Sequence, residues 1–198
     1  MAIIVNKEEK RRNIALSCRE LLLEHGINSL TISQIAKTAG VGKGTIYEYF
    51  DNKEDIVFEI ITTFITEHEK RLLSLVSESI STKEKLFHFF YLLFEDELAR
   101  KQLKVYKEFL AISLTSEPEE MLMFSEQCHD TFSMILNQIL EAGRTSGEIE
   151  AHKPISVSSL ILFTTGLVVD SRLSDCDIEQ EIHMFLDMLF PSDEKEYR

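Results

Sequence analysis

Apolar residues recur along this chain at the helical spacing of three and four, without the alternation, bounded by hairpin signals, that marks strands. Between Lys7 and His25, the residues Ile14, Cys18, Leu21 and Leu22 fall at i, i+4, i+7 and i+8 and predict one helix, which Gly26 stops. Thr31 is a good N-cap for a short helix Ile32–Thr38, with Ile35 and Ala36 facing inward. Ala39-Gly40-Val41-Gly42 is too short and too rich in glycine for anything but a turn, and another short helix follows from Lys43 to about Phe50. Asp51 and Asn52 cap a longer helix that opens at Lys53 and runs to about Ser79. Ser81 with Glu84 forms a capping box ahead of Leu86, Phe87, Phe90, Tyr91 and Phe94. A helix from Leu98 to about Leu114 comes next. Ser116-Glu117-Pro118 starts one that reaches about Ala142, where Gly143 and Gly147 end it. Pro154 opens a mostly apolar helix to about Val169, and Ser174 with Asp177 starts a last one that closes at Phe190-Pro191. The pattern predicts an all-α fold of about nine helices.

Thr31 to Phe50 therefore reads as helix, tight turn, helix. This is the helix-turn-helix arrangement, in which the second helix enters the major groove of DNA. At about 100° per residue, Lys43, Gly44, Tyr47 and Glu48 share one face of that helix. Lys43 suits a phosphate or a guanine edge, Tyr47 can offer its hydroxyl to a phosphate, and Gly44 lets a DNA backbone approach closely. Thr31 can present a hydroxyl and nearby amides to phosphate, and Lys53 adds a cation at the start of the next helix.

Composition changes the picture in one respect. The formal net charge of the 198 residues is -13, which by itself argues against a nucleic-acid partner. The charge is unevenly spread: residues 1–53 hold eight basic and six acidic side chains, and residues 54–198 hold 13 and 28. The first segment can meet phosphate, while the second is repelled by it. Cys18, Cys128 and Cys176 are far apart and odd in number, as expected of free, buried thiols in a reducing compartment. No apolar run reaches the roughly 18–20 residues of a membrane span, and the N-terminus lacks the order of a secretory signal, so a cytoplasmic protein is expected.

The segment Leu30 to Glu54, above all Gly40-Val41-Gly42-Lys43-Gly44-Thr45-Ile46-Tyr47-Glu48-Tyr49-Phe50-Asp51-Asn52-Lys53-Glu54, resembles the signature of the TetR family of repressors. The resemblance covers about residues 8–60; beyond them only length and helix layout are similar, with a smaller echo at Gly143–Ile149. It implies a homodimer with an N-terminal helix-turn-helix unit, residues 1–53, and a larger helical domain for effector binding and dimerisation, residues 54–198. It carries DNA contacts onto Thr31, Ser33, Lys43, Gly44, Thr45, Tyr47, Tyr49 and Lys53. Gly42 departs from the family, which often has serine there, so a hydroxyl for phosphate is missing. Glu48 faces the DNA side, where it either accepts from a cytosine amino group or is tolerated.

Twelve of the thirteen phenylalanines lie after residue 53. Two readings stand for them: a helical core, or a pocket lined in part by Phe64, Phe90, Phe94, Tyr106, Phe109, Phe132 and Phe163, with methionines as adaptable lining. The acidic balance favours a cationic or neutral apolar effector, whose identity stays unknown. Leu160, Ile161, Phe163, Thr164, Leu167 and Val168 make one of the last two helices apolar over most of its circumference, and Ile182, Phe185, Leu186 and Leu189 stripe the other. A helix apolar nearly all round is buried on more than one side, which either a homodimer bundle of these two helices or a monomer with a larger core achieves.

The histidines form no clear metal constellation, no cofactor is predicted, and no nucleophile elbow, phosphate loop or catalytic carboxylate pair appears. The expected function is thus a ligand-responsive DNA-binding transcriptional regulator, a non-enzyme, released as a repressor from a palindromic operator in double-stranded DNA by a small apolar effector. The rival is a helical protein-interaction module that has lost DNA binding.

Overall fold

In the computed structural model, which describes residues 7–116, 119–150, 152–171 and 176–191, the regular structure is helical throughout. Among the described residues there are ten helices: α1 Lys7–Ser17, α2 Arg19–Ser29, α3 Ile32–Thr38, α4 Lys43–Tyr49, α5 Lys53–Val76, α6 Thr82–Tyr91, α7 Glu97–Ser116, α8 Glu119–Ser146, α9 Val157–Asp170 and α10 Ile178–Leu189. Glu117, Pro118 and Ser174, read as helix-start signals, lie outside the described residues. The extra helix arises because the expected first helix is interrupted: Cys18 takes φ -98° and ψ 5°, separating α1 from α2. Gly26 adopts φ 74° and ψ 173°, ending the regular part of α2 as its residue type predicts.

Residue contacts divide the chain into two compact units. The first gathers the residues up to Glu67 with Arg100–Leu122, and the second gathers His68–Ala99 with the residues from Met123 onward. The long helices α5 and α7 thus each contribute residues to both.

The first unit is built on Ile14, Cys18, Leu22, Ile27, Leu30, Ile35, Ile46, Phe50, Ile56 and Ile60, all buried. Each such side chain, taken from water, contributes roughly 1.5–3 kcal/mol. Phe109 of α7 is fully buried there, with its ring 6.2 Å from that of Phe58 and 6.4 Å from that of Tyr106.

The second unit centres on Leu86, Phe90, Ile135, Leu136, Ile139, Leu160, Ile182 and Leu186. Ser81 caps α6 through the expected box with Glu84, and the Thr82 N–H donates to Glu148 at 2.6 Å. Phe163 and Phe185 stack at 3.8 Å, with Phe90 edge-on to Phe163 at 5.2 Å. One expectation is corrected. Gly143 does not end α8, which continues to Ser146 before Gly147 (φ 81°) stops it. Gly143 is small for a packing reason: a Cβ there would lie 2.5 Å from Thr82 Oγ1 and 3.0 Å from Ile149 Cδ1.

Candidate nucleic-acid interface

The helix-turn-helix is organised by its own termini. Thr31 Oγ1 accepts from the Gln34 N–H at 3.3 Å, and Gln34 Oε1 accepts from the Thr31 N–H at 3.0 Å, a complete capping box. At the other end of α3, Val41 N–H donates to Ala36 O at 3.0 Å and Gly40 N–H to Lys37 O at 3.3 Å. These are the two bonds of a Schellman turn, and Gly40 supplies the positive φ of 66° that it requires. Ile35, Ala36, Ile46 and Phe50 turn inward and hold α3 and α4 to the core.

The outward face of α4 is the one its spacing predicts. Lys43, Gly44, Tyr47 and Glu48 are exposed, and Thr45 and Tyr49 are half-buried. Tyr47 is 59% exposed, so an aromatic ring stands in solvent with no core to explain it. Gly44 is equally unexplained from within: an added Cβ would meet nothing within 4 Å. Glycine inside a helix costs about 0.5–1 kcal/mol relative to alanine. Thr31 and Ser33 of α3 are exposed on the approach to this face. Lys53 is less free than its position suggests, because its Nζ donates to Ile27 O at 3.3 Å.

Several residues that sequence reasoning passed over hold this surface in place. Arg11 Nη1 donates to Tyr49 O, the last carbonyl of α4, at 3.1 Å, while its Nε pairs with Glu59 Oε2 at 3.2 Å and its guanidinium lies 4.7 Å from the centre of the Phe50 ring. Arg19 forks onto Glu67 at 3.0 and 3.1 Å and covers the Phe64 ring at 4.7 Å. Both pairs span 48 residues, so α1 and α2 follow the direction of α5. Two of the basic side chains counted toward the N-terminal charge are therefore matched by acids of α5. The only signal for this was an arginine and a glutamate repeating at the same eight-residue interval in both segments. Cys18 is buried beside α3, and burial pushes its thiol pKa up, with the Ser17 hydroxyl opposing weakly.

The aromatic residues proposed for a pocket do not gather in one unit. Phe64, Tyr106 and Phe109 belong to the first, and Phe90, Phe94, Phe132 and Phe163 to the second. Phe64, Phe90, Phe94 and Phe109 are buried; Tyr106, Phe132 and Phe163 are half-buried. On α9, Leu160, Leu167 and Val168 turn inward, whereas Leu162, Thr165, Gly166 and Val169 form an exposed seam, with Leu162 71% exposed. Met184 and Met188 of α10 are also exposed. Among the described residues no helix is long and apolar enough to cross a membrane.

Residues 17–60 match the model of the bacterial regulatory proteins of the tetR family. Over 165 residues, 80% of each chain, the protein is 32% identical to the fatty acid metabolism regulator protein of Bacillus subtilis (strain 168). Its fold is similar to the crystal structure of the Bacillus subtilis regulator FadR in complex with stearoyl-CoA, with a TM-score of 0.63 and 26% identity over 90% of this chain and 97% of that one. A TetR transcription regulator from Haloarcula marismortui shares the fold at a TM-score of 0.71 with 16% identity, covering 92% of this chain and 97% of that one.

Proposed function

The chain belongs to the TetR family of bacterial regulatory proteins, and from that membership we propose how its parts divide the task. It is a ligand-responsive, DNA-binding transcriptional regulator. Residues 1–53 form the reading head, and residues 54–198 bind effector and dimerise. The observation that carries the DNA assignment is the face of α4, where a helical glycine without an internal reason adjoins a tyrosine left in solvent. A DNA backbone lying over Gly44 accounts for both. Lys43 and Tyr47 make the principal contacts, Thr31, Ser33, Thr45 and Tyr49 flank them, and Lys53 contributes the donors that Ile27 leaves free.

Two heads reach the two half-sites of a palindrome when α9 and α10 pair with their twins. The seam of Leu162, Thr165, Gly166 and Val169 supports that pairing, because an added Cβ at Gly166 would also meet nothing within 4 Å. The protein works in the cytoplasm, by binding and not by turnover, and represses until an effector releases it.

The effector we assign is a long-chain acyl-CoA thioester. The relative that is 32% identical regulates fatty acid metabolism, and a related fold was crystallised with stearoyl-CoA. The acyl chain meets the expectation of an apolar effector, while the CoA phosphates make the whole molecule anionic, unlike the cationic or neutral effector expected from the acidic balance. The rings of Phe90, Phe94, Phe132 and Phe163, all in the second unit, offer the chain aromatic surface. The effector can shift the operator-bound population only by its differential affinity for the two states.

The test is fluorescence anisotropy on a labelled duplex from the region upstream of the gene, at several salt concentrations, with stearoyl-CoA, stearate or CoA added. Operator affinity is expected to fall steeply with salt and on addition of stearoyl-CoA, and less with either fragment. Lys43→Ala with Tyr47→Ala should lower affinity by about 100-fold while the dimer persists. An unaltered affinity in this double variant would remove α4 from the interface.

A further inference from the structure

The end of α2 is gripped from two sides at a single residue. The Ile27 N–H donates to Glu108 Oε2 on α7 at 2.8 Å, and the Ile27 carbonyl accepts from Lys53 Nζ on α5 at 3.3 Å. Gly26 is what admits the first of these bonds. Its φ of 74° already favours glycine, and an added Cβ would lie only 2.6 Å from Glu108 Oε1. Ile27 is itself buried, and three residues separate it from Thr31, the cap of α3. The position of Ile27 therefore sets where the helix-turn-helix begins. Water could satisfy an N–H at a helix end. Here the acceptor is instead a carboxylate 81 residues away, on a helix whose first turn belongs to the other compact unit. A charge-assisted bond of this kind is about twice as strong as a neutral one and has a defined geometry.

We propose that Glu108 is a positioning residue of the regulator: it carries the state of α7 to the reading head through the main chain of Ile27. With the carboxylate on Ile27, the segment from Gly26 to Leu30 is seated and α3 and α4 stand in their DNA-binding position. A shift of α7 withdraws the carboxylate, and of the two polar grips on the main chain of Ile27 that of Lys53 then remains. The inference rests on the reading of the protein as a ligand-responsive regulator. The group that links its two parts is then not α5 alone, the one long helix running on from the head, but a carboxylate on α7 with glycine as its necessary partner.

The experiment uses the full-length dimer and the variants Glu108→Ala, Glu108→Gln and, as a control on the exposed side of α7, Lys104→Ala. Operator affinity is measured by anisotropy with and without saturating stearoyl-CoA. Stearoyl-CoA affinity is measured by calorimetry, and exchange at the Ile27 amide by NMR. Glu108→Ala is expected to remain dimeric, to bind stearoyl-CoA within about twofold of the parent, and to lose about tenfold of the coupling between stearoyl-CoA and operator. Its Ile27 amide should exchange about tenfold faster, with α10 unchanged. Glu108→Gln, which keeps an acceptor oxygen, should recover much of the coupling, and Lys104→Ala should leave it intact. Unchanged coupling in Glu108→Ala overturns the proposal, as does unchanged exchange at Ile27. If the parent itself ignores stearoyl-CoA while Ile27 exchange still accelerates in Glu108→Ala, the effector assignment falls and the anchoring of the head by Glu108 stands.

Discussion

Gly44 on α4 and Gly143 on α8 are both helical glycines, and their surroundings are opposite. At Gly143 a Cβ would collide with Thr82 and Ile149, so the interior of the protein accounts for the residue. At Gly44 a Cβ would touch nothing, and the protein alone gives no reason for it. The same contrast separates the tyrosine of the reading head from the phenylalanines of the second unit. Tyr47 stands in solvent, whereas Phe90, Phe163 and Phe185 pack on one another. Where internal packing explains a residue, its role is structural. Where packing leaves a costly residue unexplained, as at Gly44, we propose that the reason lies in a partner. Gly166 falls with Gly44 by this test, and it lies on the seam assigned to the second protomer.

The contrast can be broken in order of effect. The largest change is expected from Leu162→Glu, which places a charge in the exposed seam of α9. It should leave the monomer folded, abolish the dimer in sedimentation, and lower operator affinity by about 100-fold or more, because paired heads bind as a unit. A dimer that survives would assign the seam to something else.

Next come the two glycines, measured as a pair by denaturant unfolding and anisotropy. Gly143→Ala should destabilise the fold by about 1–3 kcal/mol through overpacking against Thr82, which is fixed at the first turn of α6. Its folded fraction should bind operator normally. Gly44→Ala should keep or raise stability by up to about 1 kcal/mol while operator affinity falls about tenfold. Equal signs on stability would erase the distinction.

The effect that vanishes at neutral pH, and is smallest there, concerns the buried thiol of the second unit. Burial, and secondarily the charge of Glu69, pushes the Cys128 pKa up from 9.0 to about 12. The folded state therefore keeps a proton that the unfolded chain gives up above pH 9, so this contribution is present below that pH and is lost as pH rises from about 9 to about 12. Unfolding curves across that window should be less steeply pH-dependent in Cys128→Ala than in the parent. An identical dependence would show that the thiol does not titrate as its burial requires.

Much of the architecture was legible along the chain because local chemistry writes it. The boundaries of α3, the Thr31 and Ser81 caps, and the outward face of α4 follow from contacts three and four residues apart, which the order of residues displays directly. The unequal charge of the two segments was legible as well. Its use was not: Arg11 and Arg19 pair with Glu59 and Glu67, and Lys53 turns toward Ile27, so less cationic charge faces outward than a count suggests. The spacing of Gly143 read as a helix stop, because a terminating glycine and a close-packed one look identical until the neighbouring helix is in place.

The sequence by itself determined that this chain is helical, that a helix-turn-helix lies between Thr31 and Phe50, and which side chains of α4 point outward. These properties depend on periodicity and on caps, whose partners are near neighbours in the chain. Only the tertiary structure decided that Glu108 and Gly26 meet, that Arg11 holds the last carbonyl of α4, and that Gly44 lacks any internal reason to be glycine. Each of these depends on groups brought together from distant segments, or on the demonstrated lack of such a neighbour, and the distance between them is set by the packing of whole helices.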